Sequence, residues 1–256
     1  MVFLRNYAIK IIPKLRISMN CQMLLEMLCI IFNLCKSKNF TFQVLNGIFL
    51  SFQEGKMTLV ATDGRRLAMV ENELEFPATH ETEIIVPTKA ISELARLSGT
   101  EGTVLVKLQS NQISFEIGDS VIVSKLIEGN YPNYRQVIPS NTTERVELDR
   151  EAFLDTVRRV SILATDKSNS VKLAFGSNSV DVMANTQDVG EATEKIDVKY
   201  AGKEFAIAFN PDFLMAPLKN LSSENIYIDM IDEMSPGVVR IDGSFLYVIM
   251  PMRVTG

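Results

Sequence analysis

The second half of this 256-residue chain repeats its first half, and that constrains the fold more than any other feature of the sequence. Lys172-Leu-Ala-Phe175 falls on Phe49-Leu-Ser-Phe52, and Met183-Ala-Asn185 on Val60-Ala-Thr62, both at an offset of 123 residues. Ile207-Ala-Phe-Asn-Pro211 falls on Glu83-Ile-Ile-Val-Pro87 at an offset of 124, which superimposes a helix Pro211–Leu221 on a helix Pro87–Leu97. Ile226–Met230 then lies near Val104–Leu108. Self-similarity at a near-constant offset marks one supersecondary unit used twice, joined here near Pro139.

The content of the unit follows from local pattern. Ile48–Phe52 and Met57–Ala61 flank Glu54-Gly55 as strand, turn and strand, and Thr62-Asp63-Gly64 turns the chain into Leu67–Val70. Glu83–Val86 is a further strand, and Pro87 opens a helix with Ile91, Leu94 and Ala95 at helical spacing. Val104–Leu108, Gln112–Ile117 and Val121–Leu126 complete a meander. In the second copy a helix Arg150–Leu163 precedes the strands, and it has no clean first-copy partner except the odd apolar stretch near Met19–Leu34. The expected class is α+β: two tandem copies, each an antiparallel sheet with two helices packed on one of its faces. The expected domains are an atypical segment 1–40, a first unit 41–138 and a second unit 139–256.

Charge and chemistry narrow the function. Residues 1–38 hold six Lys/Arg and one acidic residue, while the remainder holds 20 Lys/Arg against 30 Asp/Glu. Lys89 and Arg96 on the Pro87 helix, Arg150, Arg158 and Arg159 on the Arg150 helix, and Lys219 on the Pro211 helix concentrate positive charge on helix faces of an acidic body. Segregation of that kind attracts phosphates locally while the rest of the surface repels them. Cys21, Cys29 and Cys35 match no zinc spacing, and His80 is the single histidine, so neither a His-based triad nor a His-rich metal site is expected. Asp63-Gly64 is read as turn chemistry, with no base near it in sequence to support catalysis. The apolar stretch Met23–Leu34 is interrupted by Glu26 and Asn33 and is too short to span a bilayer. A non-enzymatic, cofactor-free protein of a reducing, cytoplasmic setting, without a membrane association, is the expectation.

Four strings then carry a resemblance: Ala61-Thr-Asp-Gly-Arg-Arg-Leu67, Leu126-Ile-Glu-Gly-Asn-Tyr-Pro-Asn-Tyr-Arg135, Asn210-Pro-Asp-Phe-Leu214 with Leu218-Lys-Asn-Leu221, and Tyr247-Val-Ile-Met-Pro-Met-Arg253. From Val44 to Val254 the chain resembles the bacterial DNA polymerase III beta subunit, the sliding clamp, in its middle and C-terminal domains. The resemblance implies the DNA-clamp fold and a ring of six such units around duplex DNA. In that ring helices touch phosphates without reading bases. Lys89, Arg96, Arg150, Arg158, Arg159 and Lys219 would line the channel. It also implies a pocket for short peptide motifs of the DNA polymerase III catalytic subunit, the clamp loader and repair polymerases. The pocket's walls would be Leu45, Thr62, Gly64, Arg65, Arg66, Leu67, Pro132, Val137, Val248, Ile249, Met250, Pro251, Met252 and Arg253. Met250 and Met252 suit such a hub, because flexible thioethers adapt to varied partners.

Departures from the family are specific. Arg65 stands where His is frequent, Gln136 where Arg is, and Val254 where Leu is, with Thr255-Gly256 beyond the usual end. Residues 1–40 do not align with the family's domain start. Either the start is displaced, or a diverged helix buries Met23, Met27, Ile30, Ile31 and Leu34. With two units per chain, six units require a homo-oligomer of three copies. The alternative function is a truncated clamp that binds partner peptides without encircling DNA.

Overall fold

The structure, a computed structural model, describes residues 2–3, 15–22, 24, 28, 31, 43–77, 80–164, 169–186 and 190–253. These fall into two units, one running up to Asp63 and resuming over Ala68–Pro132, the other made of Gly64–Leu67 and the residues from Asn133 onward.

The first unit contains β1 (Val2–Phe3), β2 (Leu15–Asn20), β3 (Gly47–Gln53), β4 (Lys56–Thr62), most of β5 (Arg66–Glu73), β6 (Thr82–Pro87), β7 (Thr103–Leu108), β8 (Gln112–Ile117) and β9 (Ser120–Lys125). Their order is β1-β9-β8-β7-β2 in one sheet and β5-β4-β3-β6 in the other. Cys21, Gln22, Leu24, Leu28 and Ile31 are helical (α1) and follow β2, while α2 (Thr88–Leu97) follows β6. Cys21, Leu24, Leu28 and Ile31 are all buried, and their spacing of three, four and three places them on one helix face. That face meets the sheets and α2 in one core: Leu24, Leu28, Ile48, Leu59, Ile91, Leu94, Val106 and Phe115 surround a common small void. Truncating Leu28, which is fully buried, costs about 2–5 kcal/mol on this basis.

The second unit repeats the plan. It holds β10 (Glu144–Asp149), β11 (Val171–Gly176), β12 (Ser179–Thr186), β13 (Gly190–Asp197), β14 (Phe205–Phe209), β15 (Asn225–Met230), β16 (Gly237–Arg240) and β17 (Phe245–Ile249), ordered β10-β15-β16-β17 and β13-β12-β11-β14. Its helices are α3 (Arg150–Val160) and α4 (Pro211–Leu218). The expected helix Arg150–Leu163 tightens into a 3-10 turn at Ser161–Leu163. The expected helix to Leu221 stops at Leu218, where the amides of Asn220 and Leu221 fold back onto the Pro217 carbonyl. Both units are thus α+β with two helices and antiparallel strands, as expected, but the strands of each unit divide between two sheets where a single one was expected.

Two further expectations need correction. Pro87 does not match Pro211. Ile48 pairs with Val86 as Val171 pairs with Phe209, so the strands keep the 123-residue offset and Pro87 occupies the N-cap position that Asn210 fills in the second copy. Asn210 accepts from the amides of Asp212 and Phe213 at 2.9 and 3.3 Å, a capping role that proline cannot play.

The second correction concerns the N-terminal segment. β2 pairs with β7, Leu15 opposite Leu108, as β10 pairs with β15. Asn20 then falls on Asp149: each precedes a helix and accepts from an amide in its first turn, Gln22 N at 2.8 Å and Ala152 N at 2.7 Å. The first unit therefore takes in strand and helix residues ahead of the expected boundary at 41. Of the expected helix stripe, Ile31 is buried. Met23, Met27, Ile30 and Leu34 lie outside the described residues, as do Cys29, Cys35 and 254–256.

Candidate functional site

The site grows from the end of β17. All five of its residues are buried, so Val248 and Ile249, with Leu67, are 1–2% exposed and belong to the core; they hold the site up and offer a partner almost no surface. Beyond the strand the chain stays tethered at alternate residues. Met250 N donates to Arg65 O at 2.9 Å and Met252 N to Ala208 O at 2.7 Å, both within the second unit. Pro251 falls between them, where no N–H is required.

This tether leaves side chains outside. Among the described residues the exposed large apolar side chains are Val137, Ile162, Met234, Met250 and Met252. Met234, Met250 and Met252 line one cleft of about 580 Å³, together with Lys172, Ala206, Ala208, Glu233, Pro251 and Arg253. Apolar side chains gathered in the open, rimmed by charge, mark a binding surface. Asp232 shapes one wall of it, its Oδ1 accepting from the amides of Met234 (2.8 Å) and Ser235 (2.7 Å). The Met234 amide, then the Ser235 hydroxyl and amide, hold the Asp232 carboxyl below its ordinary range.

The turn at 64–67 adds a cation fixed by an omission in α4. Pro217 has no amide hydrogen to donate to the carbonyl four residues earlier, so Phe213 O lacks its helical partner. The Tyr247 hydroxyl donates to it instead, at 3.1 Å. The same hydroxyl accepts from Arg66 Nη1 at 3.4 Å, and the Arg66 guanidinium lies 4.3 Å from the centroid of the Phe213 ring, a cation–π contact. Gly64, at φ +75°, supplies the left-handed residue that the turn needs.

The structure thus brings Gly64, Arg65, Arg66, Leu67, Val137 and Val248–Arg253 into the second unit. Leu45, Thr62 and Pro132 belong to the first: Leu45 in a 3-10 turn at Gln43–Asn46, Thr62 at the end of β4, and Pro132 exposed. Sequence reasoning missed Lys172, Phe213, Met234 and Tyr247. Phe213 and Tyr247 stood inside quoted strings, but nothing in a string shows that Pro217 leaves a carbonyl for Tyr247.

The helix cations divide. Lys89 and Lys219 are exposed. Arg96 bonds Glu93 at 2.7 Å and Arg158 bonds Asp155 at 3.0 Å, each pair one helical turn apart. Arg159 forks onto Glu194 of β13 at 2.8 and 2.6 Å, which raises the guanidinium's pKa and lowers the carboxyl's. Arg150 departs from expectation. Its side chain is only 14% exposed, and it donates to Leu218 O (3.0 Å) at the end of α4 and to Ser223 O (2.7 Å) in the loop that follows, rather than facing outward. Among the described residues no cluster of His, Cys, Asp or Glu suits a metal ion, and no helix is long and apolar enough to cross a membrane.

Models of the DNA polymerase III beta subunit match this chain in two places, the central domain over residues 23–133 and the C-terminal domain over residues 135–253. The beta sliding clamp of Chlamydia trachomatis is 33% identical over 211 residues, 82% of this chain and 51% of that protein. That of Escherichia coli K12 is 34% identical over 216 residues, 82% of this chain and 58% of that protein. A crystal structure of the DNA polymerase sliding clamp from Pseudomonas aeruginosa superimposes with a TM-score of 0.90 at 30% identity, over 95% of this chain and 68% of that one. The chain spans 51 to 58% of the length of these two curated relatives.

Proposed function

The chain belongs to the DNA polymerase III beta subunit family, and from that premise we propose that it is a non-catalytic sliding clamp that tethers replication proteins to duplex DNA. The observation that carries the reading is the exposure of Met234, Met250 and Met252 around one cleft of the second unit. An apolar side chain of a partner peptide seats against the thioethers. The peptide's polar groups meet Arg65, Arg66 and Arg253, and Gly64, Val137 and Pro251 complete the surface. The family resemblance adds Leu45, Thr62 and Pro132, with Leu67, Val248 and Ile249 as the supporting floor.

The same reading gives the helix cations to DNA. Lys89, Arg96, Arg158, Arg159 and Lys219 meet phosphates in contacts that carry no base information, so attachment is topological, weak and salt-sensitive. The carboxylates beside Arg96, Arg158 and Arg159 keep that attraction low, which favours sliding over static binding. Partners are duplex DNA, the polymerase catalytic subunit, the clamp loader, repair polymerases and further copies of the chain. The site of action is the cytoplasm.

Titrating a fluorescein-labelled peptide from the polymerase catalytic subunit against this chain tests the reading. The native chain binds it, and Met252→Ala, which removes a wall the peptide covers, weakens binding about tenfold. Absence of binding to the native chain would overturn the assignment.

A further inference from the structure

The outer edge of β14 is a half-occupied strand site. β14 lies at the end of its sheet, with β11 on one side only. Because Ala208 O accepts from Met252 N, the backbone groups of Ala208 point away from β11, and so do those of Ala206 two residues earlier. The chain's own tail therefore already behaves as a fragment of an added strand, held at one bond. Among the described residues nothing bonds the N–H or C=O of Ala206, which is half-buried and opens into the cleft of the three methionines.

We propose that the partner peptide is captured here by strand addition: an extended segment runs along β14, exchanging backbone hydrogen bonds with Ala206. This rests on the peptide-binding reading above and specifies how that site takes its ligand. Alternate side chains of an added strand face opposite ways, so one set lies on Met234, Met250 and Met252 while the other faces solvent. The charged rim of the cleft is Lys172 and Arg253 against Glu233, which selects a peptide carrying a carboxylate beside its apolar residues. Lys172 is suitably placed, being directly opposite Ala208 on β11 and on the same sheet face.

The probe is a fluorescein-labelled octapeptide with leucine and phenylalanine at alternate positions and one aspartate, read by anisotropy. Ala206→Pro removes one outward donor at an edge position where proline leaves the ladder to β11 intact, and the expected loss of affinity is 3- to 10-fold. Against the unaltered protein, copies of the peptide methylated at successive backbone nitrogens are expected to alternate between weakened and unweakened binding. Replacing the aspartate by lysine is expected to weaken binding, and Lys172→Glu to restore it in part. If the peptide binds and Met252→Ala weakens it, but every N-methylated copy binds alike, strand addition is refuted while the peptide site stands. If neither this peptide nor the polymerase peptide binds, both readings fall.

Discussion

Pro217 and Tyr247 form a testable couple. In the native chain the Tyr247 hydroxyl supplies the hydrogen bond that Pro217 denies to Phe213 O, and Tyr247 is 1% exposed, so no water replaces it. Tyr247→Phe leaves a carbonyl without its donor and removes one contact from Arg66. An unsatisfied group of this kind costs about 1–3 kcal/mol. Pro217→Ala restores the helical amide and gives Phe213 O a second source of a hydrogen bond. Tyr247→Phe is therefore expected to cost about 1 kcal/mol or more less in the Pro217→Ala background than in the native one. Urea unfolding of the four proteins measures that coupling; the chain has no tryptophan, so far-ultraviolet circular dichroism is the signal. Equal costs in both backgrounds would refute the argument that the tyrosine compensates for the proline.

The arginines and lysines of the helices are expected to separate by assay. Arg150→Ala lowers stability by about 2–3 kcal/mol, because it removes charged bonds to two carbonyls, and leaves the salt dependence of DNA binding unchanged. Lys89→Ala and Lys219→Ala leave stability unchanged and each reduce the slope of log K against log salt by about 0.9. Asp232 predicts a pH effect: its carboxyl is depressed in the folded protein, so the turn presenting Met234 is fully supported above the ordinary carboxyl range and is lost as pH falls through the folded value. Peptide affinity of the native chain should therefore fall in acid more than that of Asp232→Asn, whose amide oxygen keeps the turn. Light scattering tests the proposed ring: six units from two-unit chains correspond to a discrete mass of three copies, and a monomer at all concentrations would contradict ring closure by this chain.

Much of the fold was legible because the two copies report on each other. Phe49–Phe52 and Lys172–Phe175 identify β3 and β11 by similarity, and alternation or helical spacing identifies their neighbours. Legibility failed where the copies differ in length. The offset that aligns Phe49 with Lys172 does not align Asn20 with Asp149, so β2 stayed hidden and α1 was legible only as an apolar stretch, although the capping residues correspond. Two prolines were superimposed because they are the same residue, whereas Pro87 precedes a helix at its N-cap position and Pro211 is the first residue of one. At the site, the tail and the 64–67 turn were readable as strings. Met234 was not, since an Asx turn presents it from a loop with no counterpart in the pattern, and a burial-free reading could not show that Arg150 turns inward.

The central claim, that this chain is a clamp acting on DNA by topology, is tested most directly by its lifetime on circular DNA against linear DNA. Chain loaded onto a nicked plasmid and passed through a sizing column at moderate salt is expected to travel with the circle and to leave it after a single restriction cut. Loss at the same rate from the circle and from the cut DNA would contradict encirclement.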